Sequence, residues 1–501
     1  GGRRDLERGA RLYLATTQDP IRPSVRLARR GVAPFVIGLL IAACGDGPTA
    51  EPKVPVEVRL LSPSTNSGTP GWPLADSVIV EVLDANGNAL SGIPVRWTAE
   101  NGSDRIGAAA DTTNIAGRAS AEWTLGRTEG EQTLTVVADD LAPVVITASA
   151  TIFHAASVTV GGGFACALTE TERAFCWGLN NRGQLGNGTI RETRVQVPAP
   201  VAGDLTFTSL TASGAHACGL TPGGAAYCWG SNEGGEVGIG STSLGVPTPT
   251  PVQTSVRFTQ ISAEGYFPAS SCGLTMSGEA WCWGGNDRGT LGDGTTTNSS
   301  VPVRVVGSVA FGSLQTGYFH SCATATTGEL WCWGEQDSDP GPFGASATGI
   351  HPAPVLVPQD FVFVDLVAGW NYTCGLAAQG SALCWGANWH AGLGNGGYDP
   401  SAVPVLVAGG HSFSEISAAG YKGTHGLTTD GLLYRWGTSG TVAPEPTPIL
   451  VTDLRFTQLD SGEDPFNGYG AYGACGITAG NAVYCVDDDG LVHGVPAPAA
   501  P

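Results

Sequence analysis

Twelve of the thirteen cysteines in this 501-residue chain fall into six pairs with one common spacing. The pairs are Cys166 with Cys176, Cys218 with Cys228, Cys272 with Cys282, Cys322 with Cys332, Cys374 with Cys384, and Cys475 with Cys485. A Gly-centred turn separates most of them, as in Cys218-Gly-Leu-Thr-Pro-Gly-Gly-Ala-Ala-Tyr-Cys228, and the alternating residues on either side read as a β-hairpin. Opposed positions on neighbouring antiparallel strands lie close enough for a disulfide. A seventh segment, from His425 to Arg435, has lost both cysteines together, as a bonded pair requires. Two other readings stay open, namely buried thiols and zinc. Zinc needs about four converging ligands, and His216 and His320 have no counterpart in most copies. No metal or other cofactor is expected.

Paired carboxylates are the second chemistry on offer. Glu233 and Glu236, Asp337 and Asp339, Glu463 and Asp464, and the run from Asp487 to Asp489 could act on a glycosidic bond or bind calcium. None keeps a fixed spacing to a His or Ser partner, and all sit in turn-like stretches where acids are common anyway. The chain is therefore expected not to be an enzyme, with an envelope-associated hydrolase or polysaccharide-active propeller as the alternative.

The elements that carry these groups recur. The first cysteine of each copy returns about every fifty residues, the mark of an array or propeller. After the second cysteine comes Trp-Gly and then Asn-x-x-Gly-x-Leu-Gly, complete from Asn180 to Gly186 and from Asn286 to Gly292, and close to it from Asn232, with Val237, and from Asn388, with Ala391. Pro302-Val-Arg-Val, Pro354-Val-Leu-Val and Pro404-Val-Leu-Val read as edge strands, where proline is tolerated. Phe207-Thr-Ser-Leu-Thr-Ala-Ser-Gly214 leads into the next hairpin. Four short strands per copy and seven copies predict a seven-bladed β-propeller, in an all-β chain.

This pattern resembles the regulator of chromosome condensation repeat, over residues 153–501. The fourth copy departs from it between Gln336 and Phe343, and the sixth is cut short at Thr438-Ser-Gly440. The resemblance implies that strands from the two ends of the domain close the ring, which assigns that task to the segment around Thr151 to Thr159. The family's nuclear member exchanges nucleotide on a small GTPase, an activity not expected of an exported protein.

The residues after the Gly that enters each hairpin should share one rim of such a ring. That slot holds Phe164, Ala215, Tyr266 with Phe267, Tyr318 with Phe319, Trp370 with Tyr372, Tyr421 with Lys422, and an inserted stretch with Phe466, Tyr469 and Tyr472. Gathered aromatics with few charges suit a protein- or glycan-binding face. The alternative is that the rings fill the channel or pad the blades. The family's ultraviolet sensors cluster tryptophans in Gly-Trp-Arg-His-Thr motifs. Gly369-Trp-Asn-Tyr-Thr373 has neither the Arg nor the His, so light sensing is not expected. Trp177, Trp229, Trp283, Trp333, Trp385 and Trp436 recur in register and read as blade packing.

Upstream, residues 1–43 read as a basic segment and signal peptide. The apolar run from Val32 to Ala43 is too short to span a membrane. Leu40-Ile-Ala-Ala-Cys44-Gly resembles the bacterial lipobox, which makes Cys44 a lipidation site and accounts for the odd thirteenth cysteine. Residues 44–55 read as a tether. Residues 56–152 hold strands separated by turns such as Asp84-Ala-Asn-Gly87, which predicts a β-sandwich, and their motifs resemble the bacterial Ig-like repeats of invasin and intimin type.

The formal charge is −20. The first 43 residues hold eight Arg and three acids, so the remainder carries about −25. Such a surface repels phosphate backbones, and nucleic-acid binding is not expected. The whole reads as a monomeric lipoprotein of the bacterial envelope, lipid-anchored at the outer membrane or cell surface. It displays a propeller as a binding or adhesion platform, or else serves a purely structural role.

Overall fold

The computed structural model describes residues 54–100, 105–265, 269–336, 340–343, 348–418, 423–438, 443–462, 472–487 and 491–498. The basic segment, the apolar run and Cys44 lie outside them. Every helix or strand among the described residues is a β-strand.

Strands between residues 57 and 150 form two four-stranded sheets around one apolar core. The alternation is plain in Arg118–Thr124, where Ala119, Ala121 and Trp123 point inward and the residues between them face solvent. Leu134, Val136, Ile146 and Ala148 answer from the other sheet. Thr65–Gly68 is polar and pairs in parallel with Val144–Ala150, while Arg105–Ala109 is short and small-residued.

From Ser157 onward the chain folds into seven four-stranded antiparallel units. Blades one to five occupy residues 157–200, 209–251, 260–304, 311–357 and 363–406. Blades six and seven share one 17-residue strand, Glu445–Ser461. Its first part pairs with Leu432–Gly437 and its last part with Tyr472–Thr478, so it is the outer edge of blade six and the inner strand of blade seven. Phe153 and Ala155 hydrogen-bond to backbone groups of Val483, Val495 and Asn481, which ties the start of the ring to its last blade.

Each Trp that follows a second cysteine is 0–1 % exposed. In blades two to six its indole N–H donates to a carbonyl in the preceding blade: Trp229 to Gln184, Trp283 to Glu236, Trp333 to Thr290, Trp385 to Pro342 and Trp436 to Gly392, all at 2.8–3.0 Å. One side chain thus fixes the spacing between two blades. The Gly behind it is equally constrained. Gly284 has φ +106°, and a Cβ there would stand 2.6 Å from the Ala269 carbonyl oxygen.

The six cysteine pairs face each other across the two middle strands of their blades, with Cα separations of 4.0–4.1 Å and S–S distances of 2.01–2.11 Å. The turn after Asn180, Asn232, Asn286 and Asn388 is held by its Asn, whose side-chain oxygen accepts the backbone N–H five residues on. In blade four Gln336 takes that place and accepts from Phe343 N–H at 3.1 Å. A longer amide spans the altered loop.

The sandwich and the ring are joined by direct contacts. Trp72 donates to the Gly494 carbonyl at 3.0 Å, and its ring lies 4.7 Å from that of His493. Gly494 N–H donates to the Pro70 carbonyl, and the Tyr484 hydroxyl donates to the Arg127 carbonyl at 2.6 Å. Glu129 pairs with His154 at 3.1 Å, and Arg127 with Asp453 at 3.4 Å. These contacts cover the short outer strand Val492–Gly494 of blade seven, an edge that would otherwise be open to another chain.

Candidate functional site

Two loops of each blade share one face of the ring. The turn between the first and second strands touches the loop between the third and fourth, as Ala387 N–H to Asn371 carbonyl and Glu335 N–H to Phe319 carbonyl record at 2.8–2.9 Å. On blades four and five this face gathers rings. Tyr318 lies 4.8 Å from Phe319 and 5.8 Å from Trp370, and Phe319 lies 5.9 Å from Trp370, all three partly exposed. The Arg288 guanidinium of blade three sits 4.2 Å over the Phe319 ring and pairs with Glu335. Trp389, in the neighbouring loop of blade five, is 59 % exposed. It is absent from the slot-by-slot reading because it stands inside the Asn-x-x-Gly turn. The signal was an aromatic where the other copies hold Asn181, Glu233 and Asp287.

The remaining slot residues are placed differently. Phe164 is 1 % exposed and packs with Ala217 and Trp229 of the next blade. Tyr372 is buried and donates its hydroxyl to the Gly423 carbonyl at 2.8 Å. Both point sideways between blades, not onto the open face. Tyr266, Phe267, Tyr421, Lys422, Phe466 and Tyr469 lie outside the described residues.

The position of Phe164 and Tyr372 is a blade-to-blade tie. In blades two and four it holds His216 and His320, which reach Ser271 and Thr373 of the next blade at 2.7 and 3.0 Å. Burial holds both imidazoles down to about 3, so they are neutral spacers. Among the described residues no group of three or more His, Cys, Asp or Glu is placed to hold a metal.

Among the described residues, the acids singled out for chemistry do not converge. Glu233 pairs with Arg182 at 3.3 Å. Glu236 is buried, accepts from the Ser231 hydroxyl and Gly234 N–H, and is pushed above the usual carboxylate range by its burial. Asp487 accepts from Leu491 N–H and faces His493 at 3.3 Å. Asp337, Asp339, Glu463, Asp464, Asp488 and Asp489 lie outside the described residues.

A different set of acids lines the central channel, which encloses about 330 Å³ between the seven inner strands. Asp365, Glu415 and Asp460 stand on adjacent blades there, with Gln260, Gln315 and Gln458 at related positions. Burial is the main cause that raises Asp365 to about 6 and Glu415 to about 8, and the charges of Asp460 and Asp365 add to the second shift. These residues occupy the polar positions between Phe and Gly in the inner strand, a pattern visible in the sequence but not singled out there.

The comparisons with known proteins agree with this geometry. Residues 155–184, 207–236 and 313–338, and, in a second form of the profile, 172–220, 223–267 and 277–324, match the Regulator of chromosome condensation (RCC1) repeat. Ultraviolet-B receptor UVR8 of Arabidopsis thaliana is 27 % identical over 290 residues, covering 56 % of this chain and 64 % of the receptor. RCC1 domain-containing protein RUG3, mitochondrial, of the same plant is 29 % identical over 290 residues, covering 56 % and 53 %. The chain thus spans between half and two thirds of these relatives. Two solved structures share the fold at 20 % identity: human WBSCR16, with TM-score 0.55 over 65 % of this chain and 90 % of that one, and Prp20p of Saccharomyces cerevisiae, with TM-score 0.53 over 61 % and 80 %. Residues 155–338 thus carry matches to the regulator of chromosome condensation repeat, and the two solved structures share the propeller fold.

Proposed function

We propose that this chain is a non-catalytic binding protein of the bacterial envelope, exported, lipid-modified at Cys44, and holding a protein ligand on the aromatic face of blades four and five. The observation that carries the reading is the group Tyr318, Phe319 and Trp370, three partly exposed rings in mutual contact, with Trp389 exposed on another loop of blade five. Rigid rings bury large area at little entropic cost, and such groups anchor protein interfaces. Prp20p of Saccharomyces cerevisiae binds Gsp1p and histones, which fits a propeller that works by protein contact. The acidic chain disfavours nucleic acid. In this reading the sandwich, of bacterial Ig-like type, is a spacer whose contacts with blade seven hold the ring at a set angle. The alternatives are a hydrolase using loop carboxylates and a purely structural envelope protein.

The test is capture from envelope extracts by the purified chain, followed by titration of each captured protein against wild type and against W370A/W389A. The expected result is one saturable protein ligand whose affinity falls at least tenfold in the variant, with melting temperature within a few degrees of wild type. Equal affinity for both proteins would remove the aromatic face from the proposal.

A further inference from the structure

The inner strands carry a zipper that runs from blade to blade around the channel. Each inner strand is paired on one side only, so the free side presents backbone N–H and C=O groups to the preceding blade. In an antiparallel ladder both groups of one residue point the same way. In blade three Gln260 accepts from Leu314 N–H at 3.2 Å and donates to Leu314 C=O at 2.8 Å. In blade seven Gln458 does the same to Val158, at 3.3 and 3.4 Å, across the seam where the ring closes. Two positions further along, Thr211, Ser262, Ser417 and Asp460 accept from the N–H of Ala263, Thr316, Ser461 and Val160.

In blade six the glutamine position holds Glu415. Its Oε2 accepts from Leu459 N–H at 2.8 Å, as the amide oxygen of Gln260 and Gln458 does in its own blade. A carboxylate has nothing to donate to the Leu459 carbonyl on the same side. A carboxylic acid has. We propose that Glu415 holds a proton in the folded protein and serves as a glutamine equivalent, so that the joint between blades six and seven, next to the closing seam, is fully made only while that proton is bound.

The surroundings favour this assignment. Burial raises Asp460 of blade seven, and four donors oppose that push and favour its carboxylate form: Val160 N–H, Ser461 N–H, the Ser417 hydroxyl and the Thr159 hydroxyl. Glu415 receives one donor and faces Asp460 and, from blade five, Asp365. On the strand of blade six beside it, His425 is buried and neutral with Arg435 beside it, and across the channel stands Glu264. No Lys, Arg or His is among the described residues lining the channel. Burial, and then the neighbouring Asp460 and Asp365, push Glu415 in the same direction as the hydrogen-bond argument.

The sign follows from linkage. The folded state keeps the proton of Glu415 over a range, from about 4.5 to about 8, in which the unfolded chain releases it, so stability from this site falls through that window and is flat above it. The test is urea unfolding of the full chain between pH 5 and 9.5, for wild type and E415Q. E415Q is expected to match wild type at pH 5, exceed it at pH 8.5, and remove about one proton from the linkage between pH 5 and 8. Parallel curves, or an E415Q protein less stable at every pH, would overturn the proposal. Infrared spectra of wild type supply a second reading that needs no folded variant. A protonated-carboxyl band at pH 6.5 that titrates away near pH 8 supports the proposal, and its absence at pH 6.5 sinks it.

Discussion

Histidine and glutamate set opposite limits on this ring. His216, His320 and His425 are buried without charge, each held down to about 3 by desolvation, while the unfolded chain takes up protons near 6.5. Their contribution is therefore full above 6.5 and is lost as pH falls toward 3. Glu415 works the other way, favouring the folded state most at low pH. Between 4.5 and 6.5 the two effects oppose each other. Replacing His320 by Gln is expected to cost about 1 kcal/mol at pH 7.5, through the strained or lost bond to Thr373. The deficit should shrink, or reverse, at pH 4.5. Urea melts at the two pH values check this, and an equal deficit at both would show that His320 is not neutral in the folded state.

At the scale of elements, the repeat declared itself because its determinants are local. A Gly turn between two cysteines ten residues apart makes a hairpin wherever it occurs, and the opposed Cα atoms, 4.0–4.1 Å apart, follow from the hairpin register. Trp-Gly was legible as packing for a related reason, since a bulky ring in strict register has to be buried in each copy. Its indole hydrogen bond to the previous blade was not legible, because the acceptor is a carbonyl some 45 residues upstream with no side-chain signature. The same holds for Gln336, which replaces an Asn in blade four through a loop of different length. In the sandwich, strands with strong alternation were found, and Thr65–Gly68 was not, since a polar four-residue strand is made by its parallel partner alone.

For the whole molecule, the contact between sandwich and ring is the feature with the largest thermodynamic consequence. Trp72, Pro70, Arg127 and Glu129 give the outer strand of blade seven and the ring's entry segment the partners that the other blades obtain from within. Unfolding of the sandwich should then expose an open strand edge and loosen the seam. Calorimetry is expected to show one transition for the two domains, and W72A to split it or lower it by several degrees, in keeping with loss of a part-buried ring and its hydrogen bond. An unchanged single transition in W72A would mean that the domains melt independently of this contact.

The amino-acid sequence by itself determined the period, the hairpins, the cysteine partners and the acidity of the surface, because each depends on residues within about ten positions or on composition alone. The tertiary structure alone decided which aromatics face outward. Phe164 lies between blades while Tyr318 and Trp370 lie on the open face, because strand pairing sets Phe164 in register with His320 and Tyr372, which also turn toward the next blade. It also decided that Asp365, Glu415 and Asp460, about fifty residues apart from one to the next, share one channel wall, where the other two add to the upward push of burial on Glu415. Charges interact through space, and only ring closure brings those three strands side by side.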